Sequence, residues 1–157
     1  MSAAVRIARV AALPKSLPRF AWVYDRMYAM VRQQNALQWR FPIPGDWRSP
    51  RVEPLQFTVY DADARGHYDW HVDIGATPPN SWRRLSTTAQ LSSPSAYAGG
   101  DLEVRLASQG QGMDRTRGAT LIFPAFVPHR VAPVTRGRRC SLVMWVQEED
   151  FMVPALP

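Results

Sequence analysis

Two hydrophobic periodicities divide the chain. From Phe20 the apolar positions Phe20, Val23, Tyr24, Met27, Met30 and Val31 recur at three- and four-residue spacing, the pattern of a helix that buries one face. Ser16 and Pro18 stand where a helix start favours them, so a supporting helix is predicted over 19–38. Residues 41–54 then carry Pro42, Pro44, Gly45, Pro50 and Pro54, a connector with no room for a helix. Beyond it the period shortens to two. Strand-like runs occupy 55–60, 67–74, 85–91, 101–106, 119–123, 129–134 and 139–146. Seven short strands after one helix predict a β-sandwich or barrel with the helix on its outside. Gly99-Gly100 reads as a hairpin turn, and the polar stretch 109–117 as a loop. Thr135–Arg138 reads as the turn of a hairpin between the last two strands.

Composition narrows the class. The chain has 157 residues, 46% of them hydrophobic, enough for one domain with a real core and too apolar for disorder. No apolar run approaches the roughly 20 residues of a membrane-spanning helix. A single cysteine, Cys140, excludes an internal disulfide framework and a Cys-based metal site, and suits a reducing, cytoplasmic setting. Lys and Arg number 19 against 13 acids, and every cation except Lys15 is arginine. Such a balance fits an anionic substrate, an acidic partner or nucleic acid. The basic residues are scattered through loops instead of forming a strip interleaved with aromatics, so nucleic acid is the least supported of the three. Residues 1–18, with Arg6, Arg9 and Lys15 and no acid, read as an N-terminal arm and not as a targeting segment.

Three histidines allow each to be weighed. His71 and Asp73, two apart in a strand-like run, point to the same side while Val72 points away. An imidazole and a carboxylate so placed can share a divalent metal. His129 follows a Pro-bounded turn 56 residues later; on a neighbouring strand it completes a set of two histidines and one carboxylate, the facial arrangement of non-haem Fe(II) oxygenases. His-x-Asp alone, or His129 alone, is more often an ordinary hydrogen-bonded pair or surface residue. The predicted hairpin puts Arg139 beside His129, and Arg139 and Ser141 on one face. Ferrous iron with one aspartate keeps one positive charge, a dianionic 2-oxo acid makes it one negative, and one buried arginine restores neutrality. His67 reads as a surface or supporting residue. Tyr68, Trp70 and Trp145 are candidate cavity walls, although Trp145 reads as readily as plain core. Trp82, Arg83 and Arg84 form a candidate substrate lid with anion-binding arginines, the competing reading being a solvated basic loop. Arg115 and Arg117 read as surface charge.

From Gln56 to Trp145 the sequence resembles the Fe(II)- and 2-oxoglutarate-dependent dioxygenases, in their prolyl-4-hydroxylase-like branch. The likeness lies in Gln56-Phe-Thr-Val-Tyr60, Gly66-His-Tyr-Asp-Trp-His71-Val-Asp73, Tyr97-Ala-Gly-Gly-Asp-Leu and Phe123-Pro-Ala-Phe-Val-Pro-His129, followed by Arg139-Cys-Ser141. The resemblance implies a mainly β double-stranded β-helix, a cupin-like jelly-roll over 55–147 with a flanking helix, forming a single domain. It implies His71, Asp73 and His129 as iron ligands. Arg139 would hold the distal carboxylate of 2-oxoglutarate, with Ser141 as helper and Tyr60 hydrogen-bonding the cosubstrate. Fe(II), 2-oxoglutarate and O2, with ascorbate as reductant, are the implied cofactors. Hydroxylation of an unactivated C–H bond, on a peptide or protein residue or a small molecule, would release succinate and CO2. The alternative is a non-catalytic jelly-roll that senses metal and 2-oxoglutarate.

Overall fold

The computed structural model describes residues 5–105 and 110–149. In chain order the strands are β1 (Arg6–Ile7), β2 (Arg9–Leu13), β3 (Leu55–Asp61), β4 (His67–His71), β5 (Arg83–Gln90), β6 (Tyr97–Gly99), β7 (Leu102–Arg105), β8 (Gly110–Gly112), β9 (Thr120–Pro124), β10 (His129–Val131) and β11 (Val134–Gln147). One helix, α1 (Ala21–Gln38), precedes β3. The strands form a five-stranded sheet, β1-β4-β10-β7-β8, and a six-stranded sheet built on β2-β3-β11-β5-β9, with β6 added to β11. Every pairing is antiparallel. This is the jelly-roll with a flanking helix that the periodicities and the resemblance anticipate.

The six-stranded sheet has two unlike faces, and the period of two sorts them. Leu55 and Phe57 of β3, Leu85 and Ala89 of β5, and Leu142, Met144 and Val146 of β11 pack against Tyr24, Met27, Tyr28 and Val31 of α1. Each fully buried aliphatic side chain here contributes about 1.5–3 kcal/mol relative to exposure. The intervening residues Thr58, Tyr60, Ser86, Thr88, Gln90, Arg139 and Ser141 are also buried, yet nearly all are polar. A dry core does not carry that many polar groups without partners. This face lines a ligand cavity.

Polar side chains fasten the helix and its exit. The Tyr24 hydroxyl donates to the Leu13 carbonyl at 2.5 Å and accepts from the Leu55 amide at 2.8 Å, tying α1 to β2 and β3. Asn35 grips both polar atoms of the Phe41 backbone at 2.9 Å, which closes the chain reversal after the helix.

Several expectations need correction. The helix opens with a 3-10 turn at Pro18–Phe20 and no side-chain cap, so Pro18 starts it as expected while Ser16 takes no part as a cap. The N-terminal arm folds: β1 edges one sheet and β2 the other. Within the predicted loop 109–117, residues 110–112 pair with β7, and Gln109 lies outside the described residues, as does Leu106 of the predicted 101–106 strand. Thr135–Arg138 is no turn but the first part of the long β11, and β10 pairs with β4 and β7 instead of β11. Gly137 supplies a positive φ of 68° inside β11, where a Cβ would stand 2.1 Å from the Ala96 carbonyl oxygen. A glycine in a strand marks a bulge or a close backbone approach as readily as a turn. Gly99-Gly100 likewise carries the chain from β6 on one sheet to β7 on the other, so it is a crossover and not a hairpin.

Candidate metal centre and cosubstrate pocket

His71 ends β4, and His129 opens β10 directly opposite it. Asp73 lies just past the end of β4, not inside it; its backbone N–H donates to the Ala125 carbonyl at 2.9 Å, and Arg83 donates to its carbonyl at 3.1 Å. The expected i, i+2 geometry survives this change: Val72 is 43% exposed while Asp73 is buried. Asp73 oxygens lie 3.7 Å from His71 Nε2 and 3.4 Å from His129 Nε2, and one donor atom from each of the three side chains falls within a 4.8 Å cluster. Ligands at about 2.0–2.2 Å from a shared metal, at right angles to one another, stand about 3 Å apart. Small side-chain rotations close the difference.

The tautomers suit a metal. His71 Nδ1 lies 2.7 Å from the Asp69 carbonyl, and His129 Nδ1 lies 3.0 Å from the Val127 carbonyl. A carbonyl only accepts, so each Nδ1 carries the proton and each Nε2 offers a lone pair to the cluster. Burial, then the neighbouring His129, lowers the His71 pKa and favours the neutral, ligating form. Ser86 donates to Asp73 Oδ2 at 2.6 Å, orienting the carboxylate.

Arg139 and Ser141, two apart on β11, line the same pocket as the triad, together with Tyr60 of β3 and Trp145. Arg139 reaches it by strand alternation on the six-stranded sheet; it does not sit beside His129, because the hairpin expected between them does not exist. Its side chain is fully buried, and none of its three guanidinium nitrogens has a hydrogen-bond partner. Its guanidinium carbon stands 5.5 Å from the Tyr60 ring centroid. Burial lowers the Arg139 pKa and raises that of Tyr60, the latter opposed by the Arg139 and Arg6 cations. A guanidinium held out of water beside the Tyr97 phenol, with no carboxylate bonded to it, fits an anionic ligand such as a carboxylate. The donor set of the triad fits Fe(II), and the orphaned cation fits 2-oxoglutarate.

The other candidates divide. Tyr68 stacks on His71 with ring centroids 3.4 Å apart and lines the pocket. Trp70 does not line it: it packs under the guanidinium groups of Arg105 and Arg130, at 4.2 and 5.0 Å. A bulge explains the split. His71 pairs with His129 but Tyr68 pairs with Val131, so β4 spends three steps where β10 spends two. Strict alternation would have put His67 on the face of His71; after the bulge His67 falls outside the triad, its Nδ1 on the Arg65 carbonyl. Arg83 and Arg84 are not free to receive a substrate anion. Arg83 clasps Glu53 through two bonds of 2.7 Å, and Arg84 pairs with Glu148. Trp82, 39% exposed, stacks with Arg51 at 4.3 Å. Arg115 is more than surface charge, since it reaches Asp101 at 3.2 Å and covers the Tyr97 ring; Arg117 is exposed. Two residues that act on the site lie outside the sequence-based expectations: Ser86, which bonds Asp73, follows from the every-second-residue polar pattern of β5, whereas Arg6, on a two-residue strand, carries no such signal.

A jelly-roll with a facial His, Asp, His cluster and a buried arginine defines a class: metal-dependent oxygenases of the double-stranded β-helix type. Residues 55–147 match the model of the 2OG-Fe(II) oxygenase superfamily, and the chain belongs to that family, whose cofactors are Fe(II), 2-oxoglutarate and O2. A PKHD-type hydroxylase of Teredinibacter turnerae is 36% identical over 108 residues, covering 66% of this chain and 46% of that protein. The chain spans about half the length of the relatives it matches. In fold it is similar to a prolyl-4-hydroxylase of Pseudomonas putida (TM-score 0.71, 19% identity, 93% of this chain and 74% of the other). It is also similar to a Trichoplax adhaerens prolyl hydroxylase bound to a peptide fragment of the hypoxia inducible factor oxygen degradation domain (TM-score 0.72, 15% identity, 92% and 64%). Among the described residues no helix is long and apolar enough to cross a membrane.

Proposed function

We propose that this chain is an Fe(II)- and 2-oxoglutarate-dependent hydroxylase whose single jelly-roll domain acts on a C–H bond of a peptide residue or a small molecule. In this reading His71, Asp73 and His129 hold the iron, Arg139 takes the distal carboxylate of 2-oxoglutarate, and Ser141 and Tyr60 assist it. The observation that carries it is the Arg139 guanidinium, fully buried without a hydrogen-bond partner on the pocket that the three ligating side chains share. Bound iron with 2-oxoglutarate and O2 would supply the oxidising chemistry, with succinate and CO2 as coproducts. The protein's own part is positional. The Asp69 and Val127 carbonyls fix the imidazole tautomers, Ser86 aims the Asp73 carboxylate, and Tyr68 shields His71 from water. Relatives named as hydroxylases support a catalytic over a sensing role.

The test is turnover of 2-oxoglutarate in the presence of Fe(II), O2 and ascorbate, with succinate followed by proton NMR. Slow succinate formation that disappears in Asp73→Ala is expected. Tight 2-oxoglutarate binding with no succinate, across a panel of peptides and amino acids, would instead favour the sensor.

A further inference from the structure

A second cation enters the pocket from an unexpected direction. Arg6 lies on β1, paired with Tyr68 of β4, and lines the pocket with Tyr60, His71 and Asp73. Its guanidinium carbon is 4.9 Å from the Tyr68 ring centroid. Its Nε is buried with no hydrogen-bond partner, and no carboxylate among the described residues pairs with it. Other arginines near the site, Arg83 and Arg84, are satisfied by Glu53 and Glu148. The Tyr60 phenol beside it is a neutral partner and leaves the Arg6 charge uncompensated.

The charges of the filled site do not cancel. Ferrous iron and Asp73 leave one positive charge, dianionic 2-oxoglutarate turns that into one negative, and Arg139 neutralises it. Arg6 then remains, partly withdrawn from water and facing no anion. A desolvated cation is costly unless paired, and one more carboxylate balances the site. The cosubstrate's charge is already spent on the iron and Arg139, so that carboxylate belongs to another molecule.

We propose that Arg6 determines specificity by receiving a carboxylate carried by the substrate, so that this site takes organic acids or peptides that present a carboxylate close to the carbon that reacts. The proposal rests on the functional reading above and names the substrate class for it.

The experiment uses the full chain, loaded anaerobically with Fe(II) and saturating 2-oxoglutarate. Calorimetry then follows titration with propionate against propionamide, and with N-acetyl-trialanine bearing a free or an amidated C-terminus. At least one carboxylate should bind saturably while its amide does not. Propionate binding identifies a small-acid source, and binding of the tripeptide acid alone a peptide source. Arg6→Gln should weaken that binding about tenfold or more, as expected for loss of a charge-assisted hydrogen bond. Arg6→Lys should recover part of it, and both variants should keep wild-type 2-oxoglutarate affinity within about twofold. Equal binding of acid and amide, or no binding of either acid, would overturn the proposal. So would a loss of 2-oxoglutarate affinity in Arg6→Gln as large as that in Arg139→Gln, which would assign Arg6 to the cosubstrate. Failure of the wild type to bind 2-oxoglutarate, read before any carboxylate is added, would remove the functional reading itself and the charge count with it.

Discussion

Arg139→Met separates what the fold wants from what the site needs. In the ligand-free protein Arg139 is a fully buried cation with no hydrogen-bond partner. Replacing buried ionic groups by apolar side chains of similar length is commonly neutral to stabilising, by about 1–4 kcal/mol. The Tyr60 ring at 5.5 Å from the guanidinium carbon returns part of the burial cost as a cation–π contact of about 0.5–2 kcal/mol, so the lower half of that range applies. At roughly 2–4 °C per kcal/mol for a chain of this size, the ligand-free midpoint should rise by about 2–10 °C. The same change removes the partner of the cosubstrate's distal carboxylate. Losing one member of a buried charge pair costs about 2–5 kcal/mol, which weakens 2-oxoglutarate by roughly thirtyfold to a few thousandfold. Thermal melts with and without 2-oxoglutarate read both effects. At about a hundred times the wild-type dissociation constant the ligand should stabilise the wild type by about 2.7 kcal/mol and the variant by about 0.9 kcal/mol or less. A variant that melts lower than wild type without ligand, or that keeps its 2-oxoglutarate shift, would refute the reasoning.

Ser86→Ala removes the donor at 2.6 Å from Asp73 Oδ2. Metal affinity should fall about 10–100-fold in a competition titration, with folding intact by circular dichroism. Tyr28, buried and donating its hydroxyl proton to the Pro44 carbonyl, has its pKa pushed up to about 12, chiefly by burial. The folded state therefore holds this proton more tightly than the unfolded state. Its contribution is complete below pH 10 and is lost as pH rises from about 10 to about 12, with a size of about 2–3 kcal/mol. Urea midpoints should fall across that window and fall less in Tyr28→Phe. Trp70→Ala, on the far side of β4 from the pocket, should lower stability while leaving 2-oxoglutarate affinity within about twofold, by calorimetry.

How much of this the sequence carries depends on range. The helix, seven strands and the two faces of β11 follow from local periodicity, because Leu142, Met144 and Val146 alternate with Ser141, Val143 and Trp145. The triad was legible for the same reason: His71 and Asp73 need only one local geometry, and His129 only a neighbouring strand. What failed depends on pairings that local patterns do not encode. Gly137 suggests a turn at Thr135–Arg138, yet that glycine serves a close approach to Ala96 within a continuous strand. Trp70 faces away from the pocket as alternation from His71 requires, whereas Tyr68 reaches it only because the bulge opposite β10 shifts the phase of β4. Arg6 carries no local signal, because a two-residue strand has no period.

The most direct measurement is the anaerobic visible spectrum after Fe(II) and then 2-oxoglutarate are added to the full chain. A weak charge-transfer band should grow in the wild type, vanish in His71→Ala and Asp73→Ala, and require much higher 2-oxoglutarate in Arg139→Gln. A band of full strength in all three variants, or none in the wild type, would contradict the site described here.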